Sequence, residues 1–186
     1  MNNLIELNIV KNKLVLENGK VIYLTKEMIH TFELHKRKEI THQEFEKLLT
    51  MRYNLTATNM LTKRDYFFKD FVNKLYAKLG DKKFAETTAK KFQEKGFLND
   101  YEYAKSYMQA HSNYGEKKLR QIFYSMGLDN ESIKYLLDDN EEVEIEKIKN
   151  LLIRMGNKEK DKKISSLMRK GFSFDKIRKA LQDLEE

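Results

Sequence analysis

The first part of the chain alternates apolar and polar side chains with a period of two, which is the pattern of half-buried β-strands. The apolar positions are Ile5, Leu7, Ile9, Leu14, Leu16, Val21 and Tyr23. Asn18-Gly19 is a strong two-residue hairpin signal between two such runs, and Lys11-Asn12 is a weaker one. The alternation therefore predicts an antiparallel three-stranded β-meander over residues 4–24, as the only sheet of the protein. A meander this small is marginally stable alone, so we expect it to pack against helices.

Two helix-start signals follow the meander. Thr25 can cap a short helix that runs to Leu34. Thr41 and Glu44 stand three residues apart in the register of a capping box, which predicts a second helix from Thr41 to about Thr50. We therefore expect residues 1–62 to form an N-terminal region of a β-meander and short helices. It could be a docking module or a lid on the helical core.

From about Asp65 the apolar spacing changes to the three-and-four pattern of amphipathic helices. One stripe precedes Gly80 and consists of Phe68, Phe71, Val72, Leu75 and Leu79. Asp81 can cap the next helix, which carries Phe84, Ala85, Thr88 and Phe92 inward and ends near Gly96. The absence of Pro lets such helices run without interior breaks. Residues 65–184 are therefore predicted to be helical, with boundaries at Gly80, Gly96, Gly127, Gly156 and Gly171.

These helices repeat along the chain. Gly80, Gly127 and Gly171 each end an amphipathic stretch at intervals of 47 and 44 residues, and the residue four positions earlier is apolar each time. Those three residues are Tyr76, Phe123 and Leu167. A regular interval of this length is typical of helical repeat proteins. The predicted architecture is mainly α: tandem three-helix repeats in an elongated array, over residues 63–113, 114–156 and 157–186, the last with two helices.

A distinctive block surrounds the second repeat. It contains Gly96-Phe97-Leu98-Asn99-Asp100, then Tyr103-Ala104, Tyr114-Gly115, Lys118-Leu119-Arg120 and Gly127. This succession of residues resembles the central block of the RecX family, whose members are bacterial regulators of the RecA recombinase. The chain departs from the family pattern at Met126, where the family usually has Lys or Arg. The resemblance extends from about Arg64 to Leu184.

The net charge of +7 favours an acidic partner such as nucleic acid, an anionic membrane or an acidic protein surface. The charge is uneven: 14 basic and 8 acidic residues give +6 for residues 63–125, whereas 4 basic and 8 acidic residues give −4 for residues 126–156. Residues 157–186 carry +3. The basic helices could contact phosphate or could be solvated surface, and the charge alone favours neither.

No recognisable catalytic or metal-binding motif is present. There is no Cys, no glycine-rich nucleotide loop and no pair of His four residues apart on a helix. The acidic residues of 141–146 point to different faces of a helix, so we interpret them as a solvated helix start that suits the helix dipole. His111 is interpreted as a core or boundary residue. No signal peptide or transmembrane segment is visible. We expect a non-catalytic interaction module without cofactor or metal.

The resemblance implies a more specific function. Proteins of the RecX family bind the RecA filament and usually restrain its ATP hydrolysis, strand exchange and coprotease functions, which places them in the SOS response, DNA repair and recombination. The resemblance implies a cytoplasmic, monomeric regulator whose partners are RecA and the single-stranded DNA within the filament. By the same analogy, the DNA- and RecA-binding residues are Lys82, Lys83, Lys90, Lys91, Lys117, Lys118 and Arg120, with Lys162, Lys163, Arg169 and Lys170 as a second set.

Two other interpretations remain open from the sequence. The paired helices around a Gly turn could form a helix-turn-helix, which would make the protein a free-standing DNA-binding regulator. The repeats could also form a scaffold that binds only protein. Dimerisation and a preferred duplex sequence favour the first of these interpretations, and binding that is insensitive to salt favours the second.

Overall fold

The computed structural model describes residues 4–16, 19–137 and 141–185. The chain divides into two compact units at the junction between Asn99 and Asp100, which we call the N-terminal unit and the C-terminal unit. The N-terminal unit contains β1 (Leu4–Glu6), β2 (Asn8–Val10), β3 (Lys13–Val15), β4 (Val21–Tyr23), α1 (Lys26–Thr31), β5 (Glu39–Thr41), α2 (His42–Leu61), α3 (Phe68–Leu79) and α4 (Lys82–Glu94). The C-terminal unit contains α5 (Asp100–Ala110), α6 (Glu116–Met126), α7 (Asn130–Leu136), α8 (Glu141–Arg154), α9 (Lys160–Arg169) and α10 (Phe174–Glu185).

The mainly helical fold with a small antiparallel region near the N-terminus is confirmed. Strands β2, β3 and β4 form the predicted antiparallel meander, with Leu14 opposite both Ile9 and Ile22. Of the Asn18-Gly19 signal, Asn18 lies outside the described residues and Gly19 takes a φ of 76°. At the weaker Lys11-Asn12 signal the chain forms a turn, and Lys11 takes a φ of 61°.

The prediction that residues 4–24 hold the only sheet is wrong. Strand β1 separates from the meander and pairs antiparallel with β5, so that Ile5 lies opposite Ile40. The side chain of Ile40 is fully buried. The sequence of β5 is too short, with a single large apolar residue, to indicate a strand by its pattern. The strand forms because Ile40 is buried and because pairing with β1 satisfies the backbone hydrogen bonds.

Helix α2 is the central element of the N-terminal unit. The predicted capping box forms: the Thr41 hydroxyl accepts from the Glu44 amide, and the Glu44 carboxylate accepts from the Thr41 amide at 2.8 Å. The helix continues to Leu61, beyond the predicted end at about Thr50, because its buried face extends through Tyr53 and Met60. Tyr53 exchanges hydrogen bonds with the backbone of Asp81, which fixes the start of α4 against α2.

Arg37 strengthens the start of α2 from outside the helix. Its guanidinium donates to both carboxylate oxygens of Glu44, at 2.8 and 2.9 Å. This hydrogen bonding, with help from the Thr41 amide, lowers the pKa of Glu44 to about 2. The acid that closes the capping box therefore stays ionised over the whole physiological range.

Apolar side chains of the C-terminal unit are buried between its helices. Helices α8, α9 and α10 enclose a cluster that includes Ile148, Leu167 and Ile177, all fully buried. Helices α6 and α7 bury Phe123 and Ile133. Phe123 and Leu167, which the repeat places at equivalent positions, are both buried. In α3 the predicted stripe supplies the buried residues Val72, Leu75 and Leu79, whereas Tyr76, four residues before Gly80, is 47% exposed. The division of the helices into three repeats remains a prediction.

Replacing Leu167 with alanine is expected to cost about 3 kcal/mol of stability in the C-terminal unit, since a fully buried leucine leaves a cavity that its neighbours fill incompletely. Urea denaturation followed by circular dichroism measures this loss. Met168→Ala, on the exposed side of the same helix, is the control and should change stability by less than about 0.5 kcal/mol. Equal melting of both variants would show that α9 packs through a different face.

Candidate functional site

The predicted binding residues of α4 lie on two sides of that helix. Lys82, Lys83, Lys90 and Lys91 are all exposed. Lys82 approaches Glu86 to 3.8 Å, an exposed pair of small energetic weight. Lys83 and Lys91 line a groove between α2 and α4, and Lys82 and Lys90 do not. The structure therefore splits this set into a groove-lining pair and a pair that lies outside the groove.

The predicted residues of α6 lie at its first two turns. Lys117 and Arg120 are exposed, and Lys118 is half-buried. Arg120 donates to Glu116 at 2.8 Å, one helical turn earlier. The Lys118 ammonium lies 3.9 Å from the centre of the Tyr114 ring, in a cation–π contact. The three cations therefore surround the start of α6, but only Lys117 is without a charged or aromatic partner among the described residues.

The second predicted set lies on α9 and at its end. Lys162 pairs with Glu159 at 2.8 Å, and both side chains are highly exposed. Lys163 and Lys170 are half-buried, and Arg169 is exposed. The backbone carbonyl of Lys170 accepts from the Gly115 amide at 2.8 Å, which brings the end of α9 to the start of α6. The structure thus joins Lys170 to the α6 set within the C-terminal unit.

This junction depends on a close approach of two glycines. A Cβ on Gly115 would lie 2.6 Å from backbone atoms of Gly171, and a Cβ on Gly171 would lie 2.4 Å from the Cβ of Lys118. The Lys117 amide also donates to the Gly171 carbonyl at 3.2 Å. Only glycine permits such an approach, and Gly171 also takes a φ of 91°. The start of the basic helix α6 is therefore fixed by the turn between α9 and α10.

Glu144 completes the junction from α8. Its side chain is almost fully buried, its Oε1 accepts from the Glu116 amide at 3.0 Å, and its Oε2 accepts from the Lys176 ammonium. The carboxylate thus caps the positive end of α6 and neutralises a lysine of α10. Burial on its own lowers the pKa of Lys176, but the hydrogen bond and charge of Glu144 outweigh it and raise that pKa above its ordinary value.

The interpretation of Glu144 as part of a solvated helix start is therefore wrong, although Glu141, Glu142 and Glu146 are exposed as expected. The partners of Glu144 are 28 and 32 residues away in sequence, at Glu116 and Lys176. No local pattern signals such a pairing.

An aromatic strip runs from α5 to the start of α6. The rings of Tyr107 and His111 stack with centroids 3.9 Å apart, and His111 lies 5.1 Å from the Tyr114 ring that Lys118 covers. The His111 Nδ1 is 2.9 Å from the Tyr107 carbonyl oxygen. These residues are half-buried, which confirms His111 as a boundary histidine. The strip supports the orientation of Lys118.

Metal sites and membrane spans are two other classes of feature to consider. The described residues hold no cluster of three or more His, Asp or Glu side chains with the geometry of a metal site. Among the helices of the described ranges, none combines the length and the apolar composition needed to cross a membrane.

The geometry defines a helical protein with exposed basic surfaces. Comparison with known proteins finds similarity to RecX proteins in both sequence and fold. The Regulatory protein RecX of Vibrio vulnificus (strain CMCP6) is 28% identical over 137 residues, which are 69% of this chain and 90% of that protein. The crystal structure of RecX from Lactobacillus salivarius has a TM-score of 0.60 at 24% identity, over 73% of this chain and 96% of that one.

A further solved structure, the crystal structure of regulatory protein RecX, gives a TM-score of 0.58 at 22% identity over 96% of this chain and 98% of that one. No family model matches the sequence. The resemblance to the RecX family that the central block indicates is confirmed by the curated relative, and the two solved structures confirm the fold.

Proposed function

We propose that this protein is a regulator of the RecX type, which acts on RecA and has no catalytic activity of its own. The observation that carries the proposal is the similarity to RecX in both sequence and fold, the latter over nearly the whole chain. The exposed lysines of α4 and α6 support it, because a regulator that contacts a nucleoprotein filament needs cationic surface. Such a protein acts in the cytoplasm, in DNA repair and recombination.

The proposed mechanism is occupancy. Basic helices placed against a filament that contains single-stranded DNA gain affinity by neutralising phosphates and releasing counterions. A bound protein then restrains ATP hydrolysis, strand exchange and coprotease function by limiting subunit exchange or access to DNA. No covalent bond has to form or break on the regulator. It follows that inhibition weakens as salt is raised, since mobile ions screen exposed charges beyond about 8 Å at physiological ionic strength.

The test mixes the purified protein with RecA of the same organism, ATP and single-stranded DNA at several molar ratios. We expect co-sedimentation with the filament and a dose-dependent fall in ATP turnover. Absence of both effects at every ratio contradicts the proposal. Tight, sequence-selective binding to duplex DNA in their place would support a helix-turn-helix regulator instead.

Reversing the charges at the start of α6 is expected to weaken binding to the RecA–DNA filament. In the variant K117E/K118E/R120E, each lost phosphate contact lowers the slope of log affinity against log salt by about one unit. Binding measured between low and physiological salt gives this slope. The fold should survive, because Lys117 and Arg120 are exposed and acidic residues suit the first turn of a helix.

The matched control K134E/R154E/K158E makes the same change in net charge at exposed positions of the same unit. It should retain most of the affinity of the parent protein. An equal fall for both variants would mean that only total charge matters, and that the α6 residues form no specific contact.

A further inference from the structure

The N-terminal unit contains an open groove between α2 and α4. Two adjoining cavities of about 540 and 210 Å³ form it, and both are lined by Asn54 and Lys91. Their linings otherwise come from α2, from α4 and from the turn that follows α4. Lys83 and Lys95 lie at its two ends. Their separation of 12 positions in sequence corresponds to about 18 Å along a helix.

One wall of the groove is cationic. Lys83, Lys91 and Lys95 line it at multiples of four residues, with Thr87 in the remaining position of the same row. Residues four apart on a helix lie on the same side, so the three ammonium groups follow one edge of the groove. All three side chains are exposed, and none forms an ion pair with a described residue. Glu46 contributes a carboxylate near Lys83, so the cationic character is strongest at the Lys91 and Lys95 end.

The opposite wall offers hydrogen-bonding groups without charge. Thr50, Asn54, Thr58 and Thr62 line it, again at intervals of four residues. The Oδ1 atom of Asn54 is buried and has no hydrogen-bond partner in the described part of the chain. That oxygen has almost no accessible surface, so the groups that this wall offers to a ligand are its threonine hydroxyls. Hydroxyl groups of this kind contact phosphate and sugar in nucleic-acid complexes.

Phe97 supplies an aromatic surface at the Lys95 end. The Gly96 amide donates to Gln93 at 2.8 Å and the Phe97 amide donates to Phe92 at 2.9 Å, which together form a Schellman motif at the end of α4. This turn holds the two phenyl rings 5.8 Å apart. Phe97 is nevertheless 61% exposed, so contact with Phe92 leaves most of its ring accessible. The turn therefore presents a fixed aromatic side chain beside two lysines.

We propose that this groove binds a single strand of nucleic acid, with phosphates along the lysine row and a base stacked on Phe97. The combination of a cationic edge, a row of neutral hydrogen-bonding groups and an exposed ring is the chemistry by which proteins hold single strands without reading sequence. An acidic peptide could pair with the lysines but has no need of the ring. A duplex keeps its bases stacked on one another and cannot offer one to Phe97.

At a rise of at least 3.4 Å per nucleotide, the groove accommodates up to about five nucleotides. Binding of a single strand in this groove needs no RecA, because this chain alone supplies every contact. Its failure would leave the proposed function intact, and RecA regulation could fail while the groove still bound DNA.

The experiment measures binding of a fluorescent eight-residue thymidine oligonucleotide, and of the same strand made abasic, in the absence of RecA. Phe97→Ala should weaken binding of the thymidine strand by about 5- to 160-fold, the effect of losing one base-stacking contact, and should hardly affect the abasic strand. Phe97→Tyr keeps an aromatic ring and should restore binding. Circular dichroism verifies that each variant is folded.

The lysines are tested by K91A/K95A, which should weaken binding of both strands and lower the salt slope by about two units. The control K26A/K78A removes two exposed lysines of the N-terminal unit that lie outside the groove and should leave the slope closer to that of the parent. Equal effects of Phe97→Ala on the thymidine and abasic strands would overturn the stacking role. Equal effects of the two lysine pairs, or displacement of the thymidine strand by a polyglutamate peptide at equal charge concentration, would overturn the groove as a nucleic-acid site.

Discussion

Replacing Gly171 with alanine is expected to destabilise the C-terminal unit by about 4 to 7 kcal/mol. A left-handed backbone conformation costs a non-glycine residue about 1 to 2 kcal/mol, and overpacking adds about 1 to 3 kcal/mol. The new methyl group would meet the backbone and Cβ of Lys118 at 2.4 to 2.5 Å, so no side-chain rotation relieves the contact. Separation of the turn from α6 also weakens two backbone hydrogen bonds, at about 1 kcal/mol each.

Substitutions at two other glycines separate the conformational cost of Gly171→Ala from its steric cost. Gly156 has a φ of 57° but open space around it, so Gly156→Ala carries only the conformational cost. Gly115 has a φ of −84°, so Gly115→Ala carries only the steric cost of the contact with Gly171. Urea denaturation of the three variants gives the comparison. A Gly171→Ala protein no less stable than Gly156→Ala would mean that α6 and the α9–α10 turn are not in close contact.

Replacing Glu144 with alanine is expected to cost about 3 to 5 kcal/mol. The change leaves Lys176 in a partly buried position without its closest carboxylate, and it leaves the Glu116 amide at the start of α6 without its acceptor. Removal of one partner of a buried ion pair is costly because the other partner keeps its desolvation penalty. Thermal and urea denaturation at pH 7 measure the loss.

The exposed pair between Glu141 and Lys179 provides the control, because it joins the same two helices at 3.4 Å. Glu141→Gln should change stability by less than about 1 kcal/mol. The raised pKa of Lys176 also sets the sign of the pH effect: stabilisation by the Glu144 pair is complete at neutral pH and is lost as pH rises through that pKa. Equal stability of the Glu144 and Glu141 variants would place Glu144 in solvent.

Local signals in the sequence were sufficient for much of the fold. The Thr41 capping box, the Asp81 cap and the glycines that end α3 and α6 all lie within a few residues of the groups they contact. Such features depend on backbone geometry that each sequence segment determines for itself. For this reason the capped starts and the glycine-terminated ends are predictable, whereas α1 ends at Thr31 instead of Leu34 and α2 at Leu61 instead of about Thr50, because no glycine ends either helix.

Features that depend on distant residues could not be predicted in this way. Pairing of β5 with β1 and burial of Glu144 are each decided by partners far along the chain. Lys83 and Lys91, which the family resemblance suggests as binding residues, line the groove, but their role there remains a proposal. No local pattern links them to Lys95, Asn54 and Phe97, because this common surface exists only once α2 and α4 pack together.

The contact between Gly115 and Gly171 also has a consequence for synthesis of the chain. Gly171 follows Met126, the last residue of α6, by 45 positions, so a ribosome completes α6 well before the turn that holds it has been made. Non-local contacts of this kind form late, because they require closure of a long loop. Until residues 171–176 emerge, the nascent chain lacks both the glycine turn and the lysine that pairs with Glu144. The basic start of α6 therefore takes its final position only after residues 171–176 have left the ribosome.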